Sequence, residues 1–97
     1  MFLKAKLTGR VTRSTWEYGS ISICPLIMKE LRIKEFELCI VNGLKSRNNI
    51  TYVIKGKEGE IGMNGALSSQ YKIGDVVHVL VFSNKKKKVR EKSTLYN

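Results

Sequence analysis

The chain has 97 residues and a formal net charge of +10, and 42% of its residues are hydrophobic. This length predicts one small domain, whose core leaves stability marginal unless the chain oligomerises. No segment is long and apolar enough to cross a membrane, and the first residues do not follow the pattern of a signal peptide. We therefore expect a cytoplasmic protein. The two cysteines lack metal-ligand spacing and stand in apolar segments, which favours reduced core thiols over a disulfide or a metal site.

Short strands dominate the first half of the predicted secondary structure. Residues 3–15 indicate one or two strands with a bend at Gly9. A turn over residues 16–19 leads into a strand over residues 20–24, where apolar and polar side chains alternate. A short amphipathic helix follows, because Pro25 fits the first turn of a helix.

The second half repeats this pattern. After the helix ends near Arg32, strands are predicted over residues 35–41, 50–54, 61–63 and 76–82. The second of these is the strongest, because every residue in it is β-branched or aromatic. Many short strands, tight turns and one or two short helices predict an all-β protein, and a small barrel rather than a sandwich or an α/β fold.

The composition changes abruptly after residue 84. Residues 85–97 carry six lysine or arginine residues and one glutamate, so half of the net positive charge lies there. We predict a barrel domain over residues 1–84 followed by a basic, disordered tail. Lysine clusters also bind nucleic acids, but the chain lacks the exposed aromatic pairs on which bases stack. Nucleic acid is therefore not the expected partner.

The Gly19-Ser20 pair lies where the predicted turn passes into a strand. Such a pair is usually an ordinary turn, because glycine tolerates the required dihedrals and serine hydrogen bonds the local backbone. A second interpretation is chemical. A serine hydroxyl held against the preceding carbonyl can attack it, and elimination from the resulting ester cleaves the backbone and leaves a pyruvoyl group. A strained turn favours this attack, because a distorted peptide loses part of its resonance protection.

Two further motifs also have both a structural and a chemical interpretation. Successive side chains of a strand face opposite ways, so one of Thr51 and Tyr52 would face the core and the other a cleft. A tyrosine in a cleft can donate a proton, and a threonine hydroxyl can anchor a carboxylate. The turn Asn64-Gly65-Ala66 offers backbone N–H groups that suit an anion. Taken singly, each motif is better explained as an ordinary strand or turn.

Taken together, in this order and spacing, the motifs resemble the aspartate 1-decarboxylase family, small pyruvoyl-dependent enzymes that make β-alanine for pantothenate synthesis. The resemblance runs from about Lys4 to Phe82. The segments that carry it are Lys6-Leu7, Val11-Thr12, Tyr18-Gly19-Ser20-Ile21-Ser22-Ile23, Val41-Asn42, Thr51-Tyr52-Val53-Ile54, Gly56-Lys57-Glu58-Gly59-Glu60-Ile61, Asn64-Gly65-Ala66 and Ile73-Gly74-Asp75-Val76-Val77.

The resemblance implies a double-psi β-barrel and a homotetramer with active sites at the subunit interfaces. It implies self-cleavage between Gly19 and Ser20, and conversion of Ser20 into a covalent pyruvoyl cofactor. That cofactor would form a Schiff base with an acidic amino acid, with aspartate to β-alanine as the leading reaction. Thr51 and Asn64 would assist cleavage, and Tyr52 would reprotonate the decarboxylated intermediate. The implied substrate-binding residues are Lys6, Arg47, Thr51, Gly65, Ala66 and Leu67.

The sequence departs from the family pattern mainly at substrate recognition. Asn48 stands where the family has an arginine that binds the substrate carboxylate. Arg47 is one residue away, so on a regular strand it would point to the opposite face. Two alternatives therefore stay open: a pyruvoyl decarboxylase for a different amino acid, and a barrel that does not cleave itself and acts as a binding or regulatory module. The sequence also leaves open whether a maturation factor takes part.

Overall fold

The computed structural model describes residues 1–17, 19–44 and 48–95. In these residues the strands are β1 (Phe2–Arg10), β2 (Arg13–Thr15), β3 (Ile21–Ile23), β4 (Leu38–Gly43), β5 (Asn49–Lys55), β6 (Ile61–Asn64), β7 (Val76–Ser83) and β8 (Arg90–Ser93). Helix α1 (Pro25–Leu31) and a 3-10 helix (Gly65–Ser69) complete their secondary structure. No helix in this part of the chain has the length and apolar character needed to span a membrane.

The eight strands form one mixed sheet in the order β2-β6-β3-β5-β4-β7-β1-β8. Three of its pairings are parallel, namely β1 with β8, β2 with β6, and β3 with β5. The sheet curls into a half-barrel around the core. The predicted class, a small all-β barrel with one or two short helices, is confirmed.

Strand β7 shows how the sequence builds the core. Val77, Val79 and Val81 are fully buried, whereas His78 between them is exposed. Because successive side chains of a strand point to opposite faces, this alternation gives β7 one core face and one outer face. The buried valines belong to the same hydrophobic core as Ala5 and other apolar side chains of β1.

The predicted bend at Gly9 is wrong. Strand β1 continues through Gly9, and the chain leaves it only at Val11. A Cβ on Gly9 would lie 2.6 Å from Thr94 Oγ1 and closer still to Ile61 Cδ1. Glycine is therefore needed here for close packing of neighbouring chain segments rather than for a turn.

The predicted disorder after residue 84 is wrong for Arg90–Ser93. These residues form β8, which pairs in parallel with β1, and Lys92 Nζ lies 2.9 Å from Glu30 Oε2 on α1. The physical reason is that β1 would otherwise present an unpaired edge, and pairing satisfies its backbone groups. The boundary between barrel and tail remains a prediction.

A buried ion pair joins β1 to the segment between α1 and β4. The Lys4 side chain is 2% exposed, and its Nζ lies 2.8 Å from Glu37 Oε1. The same ammonium donates a hydrogen bond to the carbonyl oxygen of Arg32 at 2.6 Å, where α1 ends in a left-handed residue. Glu37 Oε1 also accepts a hydrogen bond from the Lys34 N–H at 2.7 Å. The Lys4 ammonium thus has both a counter-charge and hydrogen-bond acceptors.

Both cysteines are free and buried. Burial raises the pKa of the Cys39 thiol to about 12. This thiol therefore stays protonated at neutral pH and behaves as a small apolar side chain of the core.

Candidate active site

The Gly19-Ser20 bond lies in the turn that joins β2 to β3. Gly19 has a φ of +122°, a backbone conformation that residues other than glycine rarely adopt. A Cβ there would also lie 3.0 Å from Ile54 Cδ1. Ser20 follows directly and is 2% exposed. The turn therefore requires glycine before the serine and buries the serine at the edge of the core.

Asn64 holds Ser20 from the neighbouring strand. The Asn64 backbone N–H donates to the Ser20 carbonyl oxygen at 2.9 Å, and its side-chain Nδ2 donates to the same oxygen at 3.0 Å. Nδ2 also lies 3.3 Å from Ser22 Oγ. Asn64 is itself 2% exposed. Two hydrogen bonds to one carbonyl thus fix the residue that follows the Gly19-Ser20 bond.

The Ser20 hydroxyl is buried and has no hydrogen-bond partner among the described residues. An unsatisfied buried polar group costs free energy, and where one persists it calls for a functional explanation. This hydroxyl is not tied to a neighbour, so it can turn towards the Gly19 carbonyl. A pyruvoyl group carries no hydroxyl, so conversion of Ser20 would remove the unsatisfied atom. The site therefore fits the cofactor that the resemblance implied.

Gly65 packs against the same peptide from the other side. Its φ is +61°, and a Cβ on it would lie 3.3 Å from the Gly19 carbonyl oxygen and 3.6 Å from that of Glu17. The 3-10 helix that Gly65 opens therefore lies directly beside the Gly19-Ser20 bond. A side chain at position 65 would press on the Gly19 carbonyl oxygen.

A small depression of about 190 Å³ opens beside Gly19, and neither Ser20 nor Gly65 is among the residues that line it. Its lining includes five of the residues that the sequence proposed for the site or its cleavage, which are Gly19, Thr51, Asn64, Ala66 and Leu67. They come from the turn, from β5, from β6 and from the 3-10 helix, which the sheet order places side by side. Its volume suits a small-molecule ligand of a few heavy atoms.

Tyr52 and Lys6 do not line this depression. Tyr52 follows Thr51 in β5 and lines an adjoining apolar patch with Phe36, Leu38, Ile50 and Thr51. Ile50 and Thr51 line the depression as well. The centroid of the Tyr52 ring lies 6.0 Å from that of the Phe36 ring. Lys6 lies on β1 and is exposed, and three strands, β5, β4 and β7, lie between β1 and β3 in the sheet. A single chain therefore brings together the cleavage residues but not the proposed proton donor or lysine.

Arg47, proposed for the substrate carboxylate, lies outside the described residues. Asn48, at the position of the family arginine, is described and exposed. The described residues contain no cluster of His, Cys, Asp and Glu side chains that could hold a metal ion.

Arg13 is a site residue that sequence reasoning missed. Its Nη1 donates to Asn64 Oδ1 at 3.1 Å, its Nη2 forms an ion pair with Glu17, and Nη1 lies 3.8 Å from Glu60 Oε1. Arg13 reaches Asn64 because β2 pairs in parallel with β6, which sets Thr15 opposite Asn64. No motif in the sequence reveals this pairing, since β2 is only three residues long.

The fold and the site together define a small β-barrel in which a buried serine follows a glycine of positive φ, and whole-chain comparisons agree with that class. Residues 1–95 match the family model described as aspartate decarboxylase. The chain therefore belongs to the aspartate decarboxylase family, and the resemblance found in the sequence is confirmed.

Curated relatives give the extent of the similarity. The aspartate 1-decarboxylase of Thermotoga petrophila is 34% identical, over 100% of this chain and 90% of the relative. That of Campylobacter fetus subsp. fetus is 39% identical, over 80% of this chain and 70% of the relative. That of Shouchella clausii is 42% identical, over 84% of this chain and 68% of the relative.

Proposed function

We propose that this protein is a cytoplasmic, self-processing carboxy-lyase that uses a pyruvoyl group derived from Ser20 to decarboxylate aspartate to β-alanine, a step of pantothenate synthesis. The observation that carries the proposal is the buried Ser20 hydroxyl, which has no partner among the described residues and follows a glycine at φ +122°. Family membership and relatives named aspartate 1-decarboxylase support the reaction class.

Maturation begins at the Gly19-Ser20 bond. The Ser20 oxygen bonds to the Gly19 carbonyl carbon, the carbon–nitrogen bond breaks, and the hydroxyl proton ends on the Ser20 nitrogen. Loss of the Ser20 Cα proton then breaks the Cβ–oxygen bond, which leaves a carboxylate on Gly19 and a dehydroalanine at position 20. Addition of water releases ammonia and leaves the pyruvoyl group. Each step balances without an external oxidant or reductant.

The residues around the bond hold it in place for these steps. The two donors of Asn64 fix the Ser20 carbonyl, so that rotation about the serine brings its hydroxyl to the Gly19 carbonyl. Thr51 and Gly19 both line the depression, and we assign the Thr51 hydroxyl to the displaced Gly19 carbonyl or to the substrate. Such fixed donors act without reorganisation during reaction.

The same depression is the proposed substrate site. When formed, the pyruvoyl group supplies an electron-withdrawing carbonyl for decarboxylation. The backbone at Gly65, Ala66 and Leu67 is proposed to hold the substrate beside position 20. A net charge of +10 attracts an acidic substrate. Asn48 in place of the family arginine favours a second candidate, a decarboxylase for another small amino acid.

We propose a homotetramer that completes the site. Phe36 and Ile50 are 70% and 71% exposed beside Tyr52, an apolar surface that assembly would cover. Assembly would also bring Tyr52 and Lys6 of one subunit to the depression of another. We expect Phe36→Glu to lower the oligomer mass in light scattering, whereas Ile73→Glu, at 69% exposure on another surface, leaves it unchanged. Equal masses for both variants would contradict this assembly surface.

The test of the function is the intact mass of the purified protein during incubation, compared with a Ser20→Ala variant. We expect two fragments, one ending at Gly19 and one starting at position 20 that is lighter by one ammonia than a serine-terminated fragment. The Ser20→Ala chain should stay whole. Cleavage of the purified protein would also show that no maturation factor is required. An uncleaved protein would refute self-processing and favour the binding module.

Substrate choice needs a second assay. The cleaved protein should form β-alanine and carbon dioxide from aspartate, and Tyr52→Phe should still cleave but turn over slowly. A cleaved protein that is inactive on aspartate and active on another amino acid would retain the enzyme class and overturn the substrate.

A further inference from the structure

Arg13 contacts both sides of the Gly19-Ser20 bond. On the upstream side its Nη2 pairs with Glu17, two residues before Gly19. On the downstream side its Nη1 donates at 3.1 Å to Asn64, which in turn donates to the Ser20 carbonyl oxygen at 3.0 Å. One guanidinium therefore links the segment before the Gly19-Ser20 bond to the segment that contains the serine.

The downstream contact determines which way the Asn64 carboxamide points. A guanidinium has only donors, so the end of Asn64 that faces Arg13 must be its oxygen. This leaves Nδ2 facing the Ser20 carbonyl and Ser22 Oγ. If the carboxamide were reversed, Asn64 Oδ1 would face the Ser20 carbonyl oxygen. Asn64 Nδ2 would then face the Arg13 guanidinium, which offers no acceptor.

The upstream contact holds the start of the turn. Glu17 is the last described residue before Gly19, and its charged hydrogen bond to Arg13 draws the turn towards β2. A planar guanidinium can keep two donors in fixed directions at once, which a single ammonium cannot do. The geometry across the bond thus depends on one side chain with two separate donors.

We propose that Arg13 is a positioning residue for backbone cleavage, which orients Asn64 and anchors Glu17 so that the Ser20 hydroxyl meets the Gly19 carbonyl. This inference rests on the proposed self-processing. Arg13 does not itself bond to the reacting atoms. Its effect falls on the first step, in which the Ser20 oxygen–Gly19 carbon bond forms and the Gly19 carbon–Ser20 nitrogen bond breaks.

The test compares Arg13→Gln with a matched control, Arg10→Gln. Arg10 lies three residues away, and its Nη1 donates to the Gly74 carbonyl at 2.9 Å, away from the bond. We expect Arg13→Gln to slow cleavage of the full chain roughly tenfold or more, on the scale of one lost charged hydrogen bond. Arg10→Gln should cleave at the parent rate.

Two further readouts separate positioning from a general loss of structure. In a Ser20→Ala background, Arg13→Gln should melt lower than Arg10→Gln, because it also removes the positive charge 3.8 Å from Glu60, whose side chain is 9% exposed. Cleavage rates are therefore compared at a temperature where both variants are fully folded. Hydroxylamine attacks the ester that the first step forms. If Arg13 acts on that step, the rate of hydroxylamine cleavage in Arg13→Gln should fall by the same factor as the rate of spontaneous cleavage. Arg13→Lys retains the charge but offers one donor direction, and an intermediate rate is expected.

The outcomes distinguish this inference from the function on which it rests. A parent protein that never cleaves overturns both. A parent that cleaves, with Arg13→Gln as fast as Arg10→Gln, overturns the role of Arg13 alone. If Arg13→Gln is too unstable to compare, a stable Arg13→Lys chain that cleaves at the parent rate overturns the role as well.

Discussion

Replacement of Gly65 by alanine tests whether the proposed cleavage needs space around the Gly19 carbonyl. Gly65 has a φ of +61°, and an added Cβ would lie 3.3 Å from the Gly19 carbonyl oxygen. The chain offers a matched control in Gly59, which has a φ of +79° with nothing within 4 Å of an added Cβ. Both substitutions force alanine into a left-handed conformation, but only Gly65→Ala brings a Cβ close to the Gly19 carbonyl.

The two effects have different magnitudes. The left-handed conformation costs an alanine roughly 1–2 kcal/mol, and a domain of this size loses roughly 4–8 °C of melting temperature per kcal/mol. Both variants should therefore melt lower by similar amounts. The Cβ contact at Gly65 requires the Gly19 carbonyl to move by a few tenths of an ångström. Because a displacement of about 1 Å costs a reaction roughly a hundredfold, we expect about three- to tenfold slower cleavage.

The assay measures each effect in its own background. Melting temperatures are taken in Ser20→Ala chains, which lose no hydrogen bond because that hydroxyl has no partner among the described residues. Cleavage rates are taken from intact masses of chains that keep Ser20. Equal cleavage rates for Gly65→Ala and Gly59→Ala would refute the argument that contact with the Gly19 carbonyl controls the reaction.

Three further predictions concern stability. In a Ser20→Ala chain, Glu37→Gln leaves the buried Lys4 ammonium without a counter-charge and should cost about 3–5 kcal/mol in urea unfolding. Glu30→Gln breaks an exposed pair of similar length and should cost less than about 1 kcal/mol, and equal losses would contradict the role of burial. Cys39 has a pKa of about 12 when folded and 9.0 when unfolded, so stability should fall as pH rises between these values. Cys39→Ala should lessen that fall, and an unchanged dependence of stability on pH would contradict the role of Cys39. Removal of residues 85–97 should cost about 2 kcal/mol through loss of β8, whereas a disordered tail would cost nothing.

Strands rich in β-branched residues were predictable from the sequence. The run Ile50–Ile54 lies within β5, and residues 76–82 lie within β7. In such runs local β-propensity and burial favour the same structure, so their position needs no knowledge of the rest of the chain. The helix also follows its local signal, since α1 begins at Pro25 as predicted.

Features that depend on distant pairing were not predictable in this way. The lysine-rich composition around Arg90–Ser93 indicates solvation, but the free edge of β1 makes it a strand. Gly9 resembles a bend in sequence and is a close-packing position in the fold. Phe36 belongs to a predicted strand, but its φ of +70° places it in a turn before β4 begins at Leu38.

The residues of the candidate site also fall into those that motifs predict and those that depend on distant pairing. The Gly19-Ser20 turn and Asn64 could be proposed from motifs, and the structure brings them within hydrogen-bond distance. Arg13 could not be proposed, because its contact with Asn64 exists only through the parallel pairing of β2 with β6. The separation of Lys6 from the depression depends on the sheet order, which the sequence does not reveal.

Cleavage after Gly19 would cut the chain between β2 and β3, and every strand partner of the first nineteen residues lies on the other fragment. β1 pairs with β7 and β8, and β2 pairs with β6. The short fragment supplies the buried Leu7 and Val11 to the core, and Lys4 reaches across to Glu37. The mature protein would thus be two chains folded as one barrel. Its unfolding would release a peptide, so its melting temperature would rise with protein concentration, unlike that of the uncut Ser20→Ala chain if that chain is monomeric.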